Sequence, residues 1–137
     1  MKIAICGSMV FTDKMLEVKK QLETIGHTVL ISRFATKYAG KPKHEIEKLT
    51  LHDKHNNDAL TEFWEQIKQS DAILVLNYDR KGIYGYIGGN TLMEIGFAHV
   101  LHKKIYLFYE IPEIRFYKDE IQATKPIILN GDLTKIH

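Results

Sequence analysis

The run Asp71-Ala72-Ile73-Leu74-Val75-Leu76-Asn77 limits what this chain can become more than any other stretch. Its apolar core offers no alternate residue to water, so a strand built from it must be covered on both faces. That is the mark of a central strand in a parallel sheet. A second apolar run, Lys2 to Cys6, stops at Gly7 and reads as another buried strand. Phe11, Met15, Val18, Leu22 and Ile25 then recur at helical spacing, with Thr12 as the expected N-cap and Gly26 at the C′ position. Residues 27–32 form the next strand, and a strand–helix–strand unit of this kind has parallel strands and a right-handed crossover.

Further along, Asp58 to Gln69 reads as a helix with Leu60, Phe63, Trp64 and Ile67 inward, and residues 91–101 as another. Residues 104–109 and 126–130 supply further strands, with a short helix at 118–123 between them. Residues 33–57 carry Gly40, Pro42, three histidines and a polar run, and give only a short helix near 44–51. The expectation is an α/β fold: one Rossmann-like (flavodoxin-like) domain over 1–137, with a parallel sheet of about five strands flanked by helices.

Composition excludes several function classes. With 137 residues the chain fits one domain, and its single cysteine, Cys6, cannot form an internal disulfide. Nineteen basic and 17 acidic residues leave a net charge of +2, with no basic run long enough for a nucleic-acid groove. No stretch approaches the ~20 apolar residues of a membrane span, and the apolar start is too short for a signal peptide. A soluble, cytoplasmic protein with a small-molecule ligand is expected.

Sheets of this kind bind ligands outside the carboxyl ends of their strands, where strand order reverses. Two loops therefore matter, Gly7–Thr12 and Tyr78–Asn90. In Cys6-Gly7-Ser8-Met9, Gly7 turns the backbone and Ser8 can donate to a phosphate or sugar oxygen. The stretch is neither a G-x-G-x-x-G nor a P-loop, and an ordinary turn is the alternative. Asn77, Tyr78, Asp79, Tyr84 and Tyr86 make the second loop rich in groups that could stack on a base or bond a ribose. A surface loop with some buried rings is the plainer reading. His44, His52 and His55 lack metal-ligand spacing and read as solvated; Cys6 reads as a core thiol.

Glu94 has two readings. Thr91-Leu92-Met93-Glu94 fits a capping box, with Glu94 reaching back to the Thr91 amide. A carboxylate in a first helical turn also feels the positive end of the helix dipole, which favours its ionised form. Gly88, Gly89 and Gly96 are expected to crowd around it, which suits a nucleophile for a sugar carbon and is not needed by a cap.

The Ile5-to-Met9 loop, the Ser70-to-Asn77 strand and Gly88-Gly89-Asn90-Thr91-Leu92-Met93-Glu94-Ile95-Gly96-Phe97-Ala98 together resemble the nucleoside 2-deoxyribosyltransferase superfamily, and within it the 2′-deoxynucleoside 5′-phosphate N-hydrolases. The resemblance implies that Cys6, Gly7, Ser8 and Met9 touch a nucleoside or nucleotide, and that Glu94 attacks its anomeric carbon. It implies ligand contacts from Asn77, Tyr78, Tyr86, Gly88, Gly89 and Asn90, no metal or organic cofactor, and a homodimer or larger assembly. Asp79 is the preferred second acid; Glu62 and Asp58 lie near the family's own acidic position. Where phosphate-reading members continue the C-G-S loop with an arginine and paired glycines, this chain has Met9-Val10-Phe11-Thr12-Asp13-Lys14. The expected activity is cleavage or transfer at an N-glycosidic bond; the alternative is a nucleotide-binding sensor of the same fold.

Overall fold

The computed structural model describes residues 1–137. The chain runs β1 (Lys2–Cys6), α1 (Thr12–Thr24), β2 (Thr28–Leu30), α2 (Ala35–Tyr38), α3 (Lys43–Asn56), α4 (Ala59–Lys68), β3 (Ala72–Val75), α5 (Gly89–Val100), β4 (Lys104–Leu107), α6 (Lys118–Ala123) and β5 (Ile127–Ile128). The five strands form one parallel sheet in the order β2-β1-β3-β4-β5, the doubly wound arrangement expected. No helix is long and apolar enough to cross a membrane.

Alternation along the central strands divides the core in two. Ile3, Ile5, Leu74 and Leu76 point to one face and pack with Met15, Val18 and Leu22 of α1. Ala4, Cys6, Ile73 and Val75 point to the other, where Ile67 of α4 and Ile95 and Ala98 of α5 cover them. A third cluster, Phe34, Tyr38 and Ile46, joins α2 to α3. Beside it the buried Asp53 accepts from the Tyr38 hydroxyl, from Lys37 Nζ at 3.1 Å and from Asn57 Nδ2 at 2.6 Å. Burial alone would raise the pKa of Asp53, but these hydrogen bonds outweigh it and hold the carboxyl below its ordinary value.

Several local expectations change. Thr12 is the first residue of α1 rather than its cap: its hydroxyl donates to the Met9 carbonyl at 2.5 Å, closing a short 3-10 turn at Met9–Phe11. Gly26 does follow the helix at φ +102°, as a C′ glycine should. The helix expected near 44–51 is longer and includes all three histidines, which are exposed. Asp58 caps α4, accepting from the Thr61 amide, and Glu62 pairs with Arg33.

Asn77, expected to touch ligand, is committed to the backbone instead. It is fully buried at the end of β3. Its Oδ1 accepts from the Tyr109 amide at 2.9 Å, and its Nδ2 donates to the carbonyls of Tyr109 at 3.1 Å and Glu110 at 3.0 Å. Gly85 packs onto the same clasp at φ +67°, where a Cβ would stand 2.7 Å from the Glu110 carbonyl oxygen. Asn77→Ala is expected to lower the unfolding free energy by about 2–4 kcal/mol, because buried backbone groups lose their partners. Urea denaturation checks this, and a loss under about 0.5 kcal/mol would show the clasp to be dispensable.

Candidate active site

Strand order reverses between β1 and β3, and a cavity of about 330 Å³ opens outside their carboxyl ends. Gly7, Ser8, Met9 and Val10 line it from the loop after β1, and Gly88, Gly89, Asn90 and Thr91 from the start of α5. Arg80, Lys81 and Tyr86 come from the β3–α5 loop, and Glu47, Thr50, Leu51 and Lys54 from α3. Gly7 holds φ +146°, and a Cβ there would meet the Leu76 carbonyl oxygen at 3.1 Å, so the two loops can approach this closely only at glycine.

Helix α5 begins two residues before Thr91, with Gly88 as N-cap and no side-chain cap. Thr91 is therefore inside the helix, and the capping box with Glu94 does not form. Glu94 lies in the second turn, fully buried. Its Oε1 accepts from Asn90 Nδ2, one turn back, at 2.9 Å; its Oε2 has no hydrogen-bond partner. Desolvation pushes its pKa up to about 8, against smaller lowering effects from Cys6, Asn90 and Lys54. The expected dipole-favoured ionised carboxylate is thus overturned by burial. Gly89 and Gly96 do not crowd it: both are exposed, with open space where a Cβ would stand. Cys6 is buried beside Glu94 on the same sheet face, its thiol pKa raised by burial first and by that carboxyl second.

Glu94 does not itself line the cavity. It lies beneath Asn90, which faces both the main cavity and a small annex of about 20 Å³ lined by Met9, Phe34, Tyr38 and Phe63 among others. Of the other residues expected to contact ligand, Gly7, Ser8, Met9, Tyr86, Gly88, Gly89 and Asn90 line the cavity; Cys6, Asn77 and Tyr78 do not. Tyr78 is held edge-on among Phe11, Phe108 and Tyr109, with Lys14 Nζ 4.7 Å from its ring centre. Asp79 is not brought to Glu94: its Oδ1 accepts from the Gly85 amide at 3.0 Å, and it faces a neighbouring depression with Phe11 and Lys43.

Sequence reasoning missed Arg80, Lys81 and the whole α3 wall. Arg80 and Ile83 exchange backbone hydrogen bonds at 3.2 and 2.9 Å around Lys81 and Gly82, both at positive φ, a two-residue hairpin turn. The turn sends the Arg80 guanidinium across the cavity to Ser8 Oγ at 2.7 Å and Glu47 Oε1 at 2.9 Å. A motif search passes over such a residue, because its partners lie far away in the chain.

No protein-family model and no curated protein sequence matches the chain. Among solved structures it is similar to the CMP N-glycosidase BcmB of Clostridium botulinum, at 13% sequence identity and a TM-score of 0.55. That likeness covers 93% of this chain and 85% of that one. At this identity the likeness is one of fold, and the shared architecture is a Rossmann-like α/β unit with a parallel sheet flanked by helices.

Proposed function

We propose that the protein cleaves or transfers the N-glycosidic bond of a nucleoside or nucleoside 5′-monophosphate, with Glu94 as the nucleophile. The observation that carries this reading is the unpartnered Oε2 of a fully buried carboxyl at the switch point of the sheet. A purely structural glutamate gains nothing from such a place, since burying a carboxyl with one oxygen unsatisfied costs stability. The fold likeness to a CMP N-glycosidase supports the bond and substrate class.

Substrate entering the cavity displaces the Asn90 amide from Glu94 and brings C1′ to the carboxylate. As the C1′–N bond breaks through an oxocarbenium-like state, its electron pair leaves with the base, which solvent protonates, and a C1′–O bond forms to Glu94. Water then attacks C1′ and releases the carboxylate; a second base in place of water gives exchange. Neither Asp79 nor a metal is required by these steps. A homodimer or larger assembly remains part of the proposal from the family resemblance alone. The position of Glu94 beneath Asn90, rather than on the cavity wall, favours a second reading, a nucleotide sensor without turnover.

Incubation with deoxy- and ribonucleosides and their monophosphates, with and without a free acceptor base, separates the two. Base release or exchange is expected, and Glu94→Gln should reduce it by about three orders of magnitude or more. Binding without any release would leave the sensor.

The pH profile gives an independent check. The kcat/KM of a nucleophilic carboxylate follows its ionised fraction in the free enzyme, so it should rise with pH and level off above about 8. A fall above that pH would instead make Glu94 a proton donor.

The same variant should also gain stability. In the fold Glu94 keeps its proton up to about pH 8, whereas the unfolded chain releases it in the ordinary range near 4.5. The unfolded chain therefore binds fewer protons across that window, and stability falls as pH rises through it. Glu94→Gln removes this cost, so its Tm should exceed the parent's by about 15 °C at about pH 9 and by little at about pH 4. Equal offsets at both pH values would remove the burial cost as an explanation.

A further inference from the structure

The Arg80 side chain is only 12% exposed, while its partner Glu47 is 45% exposed. The cation is thus built into the cavity wall, fixed to Ser8 Oγ on one side, while its counter-ion reaches in from solvent. Arg80 Nε is buried and has no partner at all. Lys54 and Lys81 also line the cavity, and Glu47 is the one carboxylate on its wall. The first turn of α5 adds its end of the helix dipole, since Gly89, Asn90 and Thr91 all line the same space. Without Glu47, three cations would face this cavity with no anion. A guanidinium fork matches a phosphate as well as a carboxylate, and the half-exposed carboxylate of this pair is cheap to exchange for another anion.

We infer that Arg80 is the anion-reading residue of this site and that Glu47 holds its anion seat in the unliganded protein. The phosphate of a nucleoside monophosphate displaces Glu47 from Arg80, so the cavity takes phosphorylated nucleosides in preference to neutral ones. The inference rests on the nucleoside-site reading above and narrows its substrate class. It assigns the task to a residue after β3, not to the β1 loop where the sequence resemblance would look for it. A neutral nucleoside leaves the Glu47–Arg80 pair in place and gains nothing from Arg80.

The two members of the pair then have opposite effects on binding, which a simple structural brace does not produce. The test measures binding by titration calorimetry on the Glu94→Gln background, so that turnover cannot interfere. The probes are the common ribo- and deoxyribonucleoside 5′-monophosphates, their parent nucleosides and inorganic phosphate. At least one monophosphate should bind about tenfold or more tighter than its nucleoside. Arg80→Gln should bring that ratio close to unity, and Arg80→Lys, keeping charge without the fork, should fall between. Glu47→Gln should tighten monophosphate and inorganic phosphate about threefold or more and leave nucleosides unchanged. Thermal melts confirm that each variant is folded; if Arg80→Gln is not, Arg80→Lys and Glu47→Gln carry the test.

Weaker monophosphate binding in Glu47→Gln, or no preference for monophosphates over nucleosides, overturns the inference. These outcomes are distinguishable from failure of the glycosidase reading. Opposite-sign binding effects without base release from the parent protein remove the enzyme and keep the anion seat. Equal turnover of nucleosides and monophosphates removes the seat and keeps the enzyme.

Discussion

The complete burial of β1 and β3 side by side is the constraint on which the rest of the structure depends. Ile3 to Cys6 and Ala72 to Leu76 are all inaccessible to solvent or nearly so. Two such strands can place polar groups only at their ends, because an unpaired polar side chain between the two cores would lose its hydration with nothing in return. The chemistry therefore collects at one edge. Asn77 closes the end of β3 by bonding the backbone at Tyr109 and Glu110, and the loops from β1 and β3 part company just beyond it. The crevice between them follows from strand order; its contents come from α3, α5 and the Arg80 turn.

Within that crevice a shift of two residues changes the character of Glu94. Had α5 started at Thr91, the carboxylate would sit in the first turn, reaching a free amide and the positive end of the helix. Because Gly88 and Gly89 carry the helix start outward, Glu94 falls in the second turn, against the sheet face that holds Cys6. There the dipole has faded and desolvation governs. Asn90, spaced one turn before it, offers one hydrogen bond and covers the carboxyl from the cavity. The result is a destabilising residue inside a well-packed helix, a pattern associated with sites retained for activity rather than for stability.

The parts legible in sequence were those whose apolar spacing is dense enough to identify an element by itself. The five strands, α1, α4 and α5 all have such spacing, and the alternation of strand and helix gave the parallel α/β class. Helix α3 does not: Ile46 is its one fully buried apolar residue, and its other buried position is Asp53, held by Tyr38 and Lys37 of α2 and by Asn57 one turn on. A charged residue on an inward position reads as a break in amphipathicity, so the α3 side of the cavity wall (Glu47, Thr50, Leu51 and Lys54) went unseen. The tyrosine loop misled in the opposite direction. Its rings looked like a stacking platform, yet Tyr78 packs into a cluster of Phe11, Phe108 and Tyr109, and only Tyr86 faces the cavity. Arg80 could not be read from its neighbours, since Ser8 stands 72 residues away.

The two glutamates of the site divide along one physical line. Glu47 is half exposed and faces an arginine that needs an anion; Glu94 is buried and faces none. Lys54 stands between these environments, lining the cavity and its annex while favouring the charged form of Glu94. A ligand anion that settled on Lys54 would cancel the cation that helps Glu94 ionise. An anion seated on Arg80 avoids that loss, because the guanidinium is already neutralised by Glu47 and merely exchanges one anion for another. The incoming phosphate takes the place of the Glu47 carboxylate on the guanidinium, while Lys54 stays free to act on the carboxyl beneath Asn90. Binding at one end of the cavity and ionisation at the other can then proceed without opposing each other.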